Sequence, residues 1–187
     1  MNVYDFDKTI YRTDSSTDFF IYCMFRHPRI FTLLPSITAG FVKFYILKKG
    51  TKTQFKEKIM KFVRYIDKDK DLQNFWNKKK KHIKSYYLNQ QKEDDVIISA
   101  SPVFLLEPIC KDLGIKHLIA SEVDDKSGIF KRPNCHGKEK VVRYREIFSD
   151  AVVDEFYSDS YTDTPLAEIA KKAYMVKGDM INPWKFR

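Results

Sequence analysis

The feature that most constrains this chain is a short apolar run, Met1-Asn2-Val3-Tyr4, that ends in Asp5-Phe6-Asp7-Lys8-Thr9. Val3–Phe6 reads as a strand, and the residues after it leave that strand. Residues two apart on a strand point the same way, so Asp5 and Asp7 can serve one site. Two carboxylates share a dry pocket comfortably only when a cation or a proton separates their charges. The pair therefore points to a hard-metal site with divided labour, one nucleophile and one acid/base. Taken alone, the same residues also serve as ordinary turn and cap residues, so the rest of the chain has to decide.

Three further segments repeat the order of strand, loop and helix. Asp95-Val96-Ile97-Ile98-Ser99-Ala100-Ser101-Pro102 has a buried-strand pattern ending in small hydroxyl residues, and Pro102 suits the first turn of a helix. A serine at a strand exit beside helix-start N–H groups is well placed to hold a phosphate; the alternative is that Ser101 only caps that helix. Gly137-Lys138-Glu139-Lys140-Val141-Val142 opens another helix, with a lysine that either reaches a phosphate as a point charge or stays solvated. The stretch Val152–Pro165 is strand-like and then acidic. Asp163 or Thr164 can cap the helix near Pro165, but Asp159 lies too early for that job. In open α/β sheets the site lies beyond the carboxyl ends of the strands, so four such loops would bring these groups together.

In this order the residues closely resemble the haloacid dehalogenase-like superfamily of phosphohydrolases, its four motifs being matched by Asp5-Phe6-Asp7-Lys8-Thr9, Ser99, Lys140 and Asp159…Asp163. A helical insert between the first two motifs is similar to the subclass containing phosphoserine phosphatase. Cys135 to Val141 and Tyr157 to Leu166 resemble the bacterial C-type phosphatidylglycerophosphate phosphatases. The resemblance implies a Rossmann-like parallel α/β core, residues 1–12 and 91–187, with a helical C1-type cap, residues 13–90, inserted after the first strand. It implies Asp5 as nucleophile, forming an aspartyl-phosphate, and Asp7 as general acid and then base. Mg²⁺ would be held by Asp5, the Asp7 carbonyl, Asp159 and Asp163; Thr9, Ser99, Ala100 and Lys140 would hold the phosphoryl group. Choosing Lys140 over Lys138 rests on the family's Glu-Lys-Val pattern. Lys8 stands where many relatives carry Gly.

Composition sets outer limits. A chain of 187 residues is one domain, or one domain with a sizeable insert, and at 43% hydrophobic residues it can bury a proper core. Three scattered cysteines, Cys23, Cys110 and Cys135, argue against a disulfide framework and for a reducing, cytoplasmic setting. A strand at residue 1 leaves no room for a signal peptide before it. Cys135-His136 lacks partners at metal-ligand spacing.

In the insert, Asp14–Asp18 start a helix, and His27-Pro28 and Lys49-Gly50-Thr51 are breaks. Phe55, Ile59, Phe62, Val63 and Ile66 have the spacing of one buried helical face. A further helix is expected over Asp71–Leu88. Beyond Pro102, Val103–Leu113 reads as a helix disturbed by Pro108, followed by a strand at His117–Ser121 and a turn at Asp124–Gly128. Ile30–Leu47 has Lys43 as its only charge and is nearly long enough to span a bilayer, though Pro35 and Gly40 interrupt it. A buried pair of cap helices is the favoured reading, and membrane contact the alternative.

The formal net charge of +9 is concentrated in the cap, at Lys78–Lys81 and Lys48, Lys49, Lys52, Lys56 and Lys58. It suits phosphorylated metabolites, an anionic lipid surface or nucleic acid, although a solvated helix face accounts for most such lysines. No nucleic-acid signature with interleaved aromatics is present. The expected function is a Mg²⁺-dependent phosphomonoesterase acting on a small phosphorylated metabolite or a phospholipid phosphate, with peripheral membrane contact through the cap as an option. Phosphoryl transfer to another hydroxyl, as in a phosphomutase, and a non-catalytic basic membrane- or nucleic-acid-binding module are the alternatives.

Overall fold

The structure, a computed structural model, describes residues 1–186. Six strands form one sheet in the order β3-β2-β1-β4-β5-β6: β1 (Asn2–Tyr4), β2 (Val96–Pro102), β3 (His117–Ser121), β4 (Val153–Ser158), β5 (Ala170–Lys177) and β6 (Met180–Pro183). Neighbours are parallel except β5 and β6. The chain runs from β1 to β2 and β3 on one side, then returns to β4 on the other side of β1. The order therefore reverses at β1, and the exits of β1, β2 and β4 border one crevice.

Between β1 and β2 lie α1 (Ser15–Arg26), α2 (Leu34–Phe41), α3 (Lys52–Met60), α4 (Lys68–Lys79) and α5 (Ser85–Gln90). The core adds α6 (Val103–Asp112), α7 (Lys138–Phe148) and the short α8 (Thr164–Ala167). Local chemistry explains the helix starts. Asp14 accepts the Thr17 N–H at the head of α1, Asp67 accepts the Lys70 N–H at α4, and Thr51 and Gln54 form a reciprocal capping box at α3.

Strand alternation divides the core in two. Val3, Val96, Ile98 and Phe156 face α7 and α8 through Tyr144 and Leu166. Tyr4, Phe6 and Ile97 face α6 and continue without a break into the insert through Phe19, Phe75 and Trp76. Trp76 stands edge-on to Phe6 and Tyr11, and its Nε1–H donates to the Leu105 carbonyl of α6 at 2.7 Å. The insert is thus joined to the sheet by buried aromatic surface, each such ring being worth roughly 1.5–3 kcal/mol.

Four expectations change. The first strand ends at Tyr4, not Phe6. Asp5 still donates its N–H to the Tyr157 carbonyl at 2.8 Å, so it is the last residue the sheet holds, and Asp7 is presented by the following turn, not by strand alternation. Pro102 is the last residue of β2 and the cap of α6, not its first turn; without an N–H it ends the ladder instead of starting the helix. The helix expected over Asp71–Leu88 is two, because Ile83 pairs antiparallel with Tyr11 and the Lys84 N–H donates to the Ile10 carbonyl, pulling this stretch extended. Finally, residues 28–46 form one continuous helical run through Pro35 and Gly40, and most of it is exposed, so it is not the buried helix pair favoured above. Pro35 falls in the first turn of α2, where a missing N–H costs nothing.

Replacing Trp76 by Ala should destabilise the whole protein by about 3–5 kcal/mol. In urea, Trp184 fluorescence, then reporting the core alone, should shift together with far-UV circular dichroism. Two separated transitions would show that the insert unfolds independently.

Candidate active site

Asp5 sits at the β1 exit with its carboxylate almost fully buried. Its Oδ1 accepts a 2.6 Å hydrogen bond from the Lys140 Nζ, and its Oδ2 accepts one from the Thr9 hydroxyl at 3.2 Å. The same ammonium donates to Asp163 Oδ2 at 2.7 Å, and Asp163 Oδ2 also accepts from the Ser158 hydroxyl at 2.8 Å. Lys140 lies in the first turn of α7 and is 1% exposed. It gets there because Gly137 caps the helix at φ +59°, a region L side chains rarely adopt, and a Cβ there would stand 3.3 Å from the Thr162 carbonyl.

Asp7 is held by two donors from different parts of the chain, the Ser15 N–H at 2.7 Å and the Ser101 hydroxyl at 2.5 Å. The turn that carries it holds Lys8 at φ +58°, a region that L side chains rarely adopt. The buried Lys84 fastens this turn, donating to the Lys8 carbonyl at 2.6 Å and to the Gly178 carbonyl at 2.5 Å.

These groups border a cavity of about 250 Å³. Five aspartates line it, Asp5, Asp7, Asp14, Asp159 and Asp163, against four lysines, Lys8, Lys52, Lys56 and Lys140. Lys52 and Lys56 come from the insert. Burial pushes the Asp5 carboxyl up to about 7, with Lys140 opposing and Asp163 and Asp7 adding to the rise. Burial and then Asp14 raise Asp7 to about 6, against the hydrogen bonds from Ser101 and Ser15. Asp159 is also raised by burial. Burial lowers Lys56 to about 8, helped by Lys52. Burial works against the Lys140 charge, yet Asp5 and Asp163 outweigh it and hold the ammonium firmly protonated.

The acids thus outnumber the cations that touch them, and Asp163 Oδ1 is buried with no hydrogen-bond partner. An all-oxygen, anionic set with an orphaned carboxylate atom fits a hard divalent cation. Among the described residues no three such side chains already stand together as a ligand cluster; the Lys140 ammonium lies between Asp5 and Asp163.

The structure therefore brings Asp5, Asp7, Ala100, Lys140, Asp159 and Asp163 to one cavity. Lys138 makes no contact with Asp5. Thr9 and Ser99 are fully buried and are not among the cavity-lining residues; Ser99 Oγ accepts the Ser101 N–H at 3.0 Å. Sequence reasoning missed Ser101 as the partner of Asp7, treating it as a helix cap. It also missed Asp14, Lys52, Lys56 and His136, which line the cavity from outside the strand-exit motifs. Ser101 was visible in Ser-Ala-Ser-Pro; the lysines carry no local signal, because only the packing of α3 against the core aims them inward. Asp7, Asp14, Lys56 and Ala100 also border a second chamber of about 220 Å³, whose remaining wall includes Phe20, Ile59 and Met60.

Fold and site together define a capped Rossmann-like enzyme, with its acidic centre at the switch point of the sheet. The chain belongs to the haloacid dehalogenase-like hydrolases, whose sequence model matches residues 3–168. It is 36% identical over 88 residues to Protein CicA of Caulobacter vibrioides, a match covering 43% of this chain and 40% of that protein. The chain thus spans about two fifths of this curated relative. Among solved structures, a Bordetella pertussis Tohama I protein of unknown function superposes with a TM-score of 0.72 at 19% identity, covering 92% of this chain and 87% of the other. A phospho-aspartyl intermediate analogue of phosphoserine phosphatase superposes with a TM-score of 0.53 at 14% identity, covering 91% and 83%.

Replacing Lys140 by Met leaves two buried carboxylates without their cation and should cost about 3–5 kcal/mol. Adding Asp163→Asn in the same chain should restore part of that loss, as read from urea denaturation midpoints. An unchanged midpoint in the single variant would mean that proton uptake by the pair replaces the lost cation at no cost.

Proposed function

We propose that this hydrolase is a Mg²⁺-dependent phosphomonoesterase working through a phosphorylated Asp5. The observation that carries this reading is the pairing of Asp5, oriented by Lys140 and Thr9, with Asp7, whose pKa of about 6 lets it both give and take a proton near neutrality. A lone pair of the Asp5 carboxylate attacks phosphorus, and the bond from phosphorus to the leaving oxygen breaks. Asp7 supplies the proton to that oxygen. Asp7 then removes a proton from water, which attacks phosphorus as the bond from phosphorus to the Asp5 oxygen breaks, releasing inorganic phosphate and regenerating the Asp5 carboxylate and the protonated Asp7. Splitting hydrolysis this way replaces one difficult displacement by two easier ones.

Charge neutralisation does most of the work in phosphoryl transfer. Lys140 supplies one positive charge to the phosphoryl oxygens, and Ala100 borders the space they occupy. Thr9 positions Asp5, and Ser99 shapes the loop that points Ser101 at Asp7. Asp5, the Asp7 carbonyl, Asp159 and Asp163 would hold Mg²⁺, which when bound neutralises charge on the transferring group. The chamber bounded by Phe20, Ile59 and Met60 takes the leaving group, beside the proton donor Asp7. The phospho-aspartyl analogue of the phosphoserine phosphatase with this fold supports the same chemistry.

With Mg²⁺, the protein should release phosphate from p-nitrophenyl phosphate, and Asp5→Asn should lower kcat by at least about 10³-fold. Retained turnover in that variant would remove Asp5 as the nucleophile. Independently of activity, saturating Mg²⁺ should raise Tm by about 5 °C or more, as expected for a ligand bound only by the folded state. Asp159→Asn should blunt that shift; an equal shift in both proteins would place the cation elsewhere.

A further inference from the structure

Residues 28–46 form a largely apolar helical run that packs on one side against α1, α3 and residues 61–65. The inner stripe, Ile30, Leu33, Ile37, Gly40 and Phe44, is buried or half-buried. It lies against α3, where a Cβ on Gly40 would stand 3.2 Å from the Phe55 ring and Phe44 stacks on that ring. The outer side is largely open, with Phe41 and Tyr45 touching the Phe55 ring at its edge. Phe41 is 47% exposed, Ile46 63% and Leu47 57%, and Phe31 and Tyr45 are exposed beside them. Only 11% of the segment's most apolar stretch is buried, although its length and composition would suffice to cross a membrane. Helices that are hydrophobic all round belong in a protein core or in lipid, and this one is not in a core.

Charge identifies the occupant. From residue 19 to residue 56 the chain has no Asp or Glu. Arg29, Lys43, Lys48 and Lys49 are exposed there, and among the described residues none of them enters an ion pair. A bare apolar ridge flanked by unpaired cations complements an anionic lipid surface, where rings and aliphatic groups enter the headgroup boundary and lysines reach the phosphates. Crossing is excluded by connectivity. The segment begins at the end of α1 and is followed by α3, and both of these pack into the one catalytic body. A single passage would leave them on opposite sides of the bilayer, and a return passage would have to carry Lys52, Lys56, Glu57 and Lys58 through hydrocarbon.

We infer that this ridge is a membrane-docking surface that lies in the interface of an anionic bilayer, the occupant being lipid and not a second copy of the chain. The same helix α3 that supports the ridge through Phe55 carries Lys52 and Lys56 into the catalytic cavity, so docking places lipid against the cap of the site. The inference does not depend on the catalytic reading.

The test is flotation of the full chain with vesicles of phosphatidylglycerol and phosphatidylcholine, and with phosphatidylcholine alone, alongside sedimentation velocity without lipid. The protein should float with the anionic vesicles and remain below with the neutral ones. Raising NaCl to 0.5 M should weaken partitioning by about tenfold or more. The double variant Ile46→Glu, Leu47→Glu should lose about tenfold or more in partitioning, with an unchanged melting curve and unchanged hydrolysis of p-nitrophenyl phosphate. Equal flotation of the variant, or wild-type protein that stays below with anionic vesicles, overturns the proposal. A dimer that the double variant dissolves into monomers also overturns it, by assigning the ridge to a second copy. Wild-type protein that floats with anionic vesicles but does not hydrolyse p-nitrophenyl phosphate would count against the catalytic reading and leave the docking surface standing.

Discussion

The ammonium of Lys140, buried between Asp5 and Asp163, is the interaction on which the arrangement of this protein depends. It joins the first strand, the head of α7 and the turn after β4, segments that are far apart in the chain. Three charges taken from water at once are costly, and such a triad is poor value as a stabiliser compared with apolar groups of similar volume. Its retention at the rim of a cavity, next to Asp7 and Asp159, makes sense as the preparation of a charged site rather than as cement. A carboxylate held at a fixed position by one lysine and one hydroxyl needs little reorganisation when an anionic group arrives.

The backbone around this triad is strained at one place, turned by a glycine at a second and fastened at a third. Lys8 and Gly137 both adopt left-handed conformations, one to turn Asp7 toward the cavity and the other to start α7 so that Lys140 points inward. Lys84, although far from any strand exit in sequence, secures the first turn by its carbonyl contacts. Local strain of this kind persists only where the surroundings over-determine it, and here the surroundings include the insert.

The insert is for that reason more than a cover. Aromatic side chains from α1 and α4 continue the core that begins at Tyr4 and Phe6, so one face of the sheet and the insert share their buried surface. What remains outside is the ridge from Pro28 to Leu47, which takes part in neither body beyond its inner stripe. On this ridge Phe31, Phe41, Tyr45 and Ile46 are exposed together beside unpaired cations, a contiguous apolar patch of the kind that marks an interaction surface.

Much of this was legible in the chain itself. Strand exits ending in acids, a hydroxyl or a lysine follow from local pattern, because alternation, cap residues and turn residues act over a few positions; Asp5, Asp7, Lys140, Asp159 and Asp163 were all visible that way, as was the α/β order. Tertiary structure alone brings the ammonium of Lys140, which the Glu-Lys-Val pattern already singles out over Lys138, onto Asp5. It alone decided that Ser101 serves Asp7, that α3 sends Lys52 and Lys56 into the cavity, and that Ile83 and Lys84 break a promising helix by pairing with the first loop. The same holds for the apolar run after His27: composition says that it avoids water, but only the packing of its neighbours determines how much protein covers it, and on its outer side that is little.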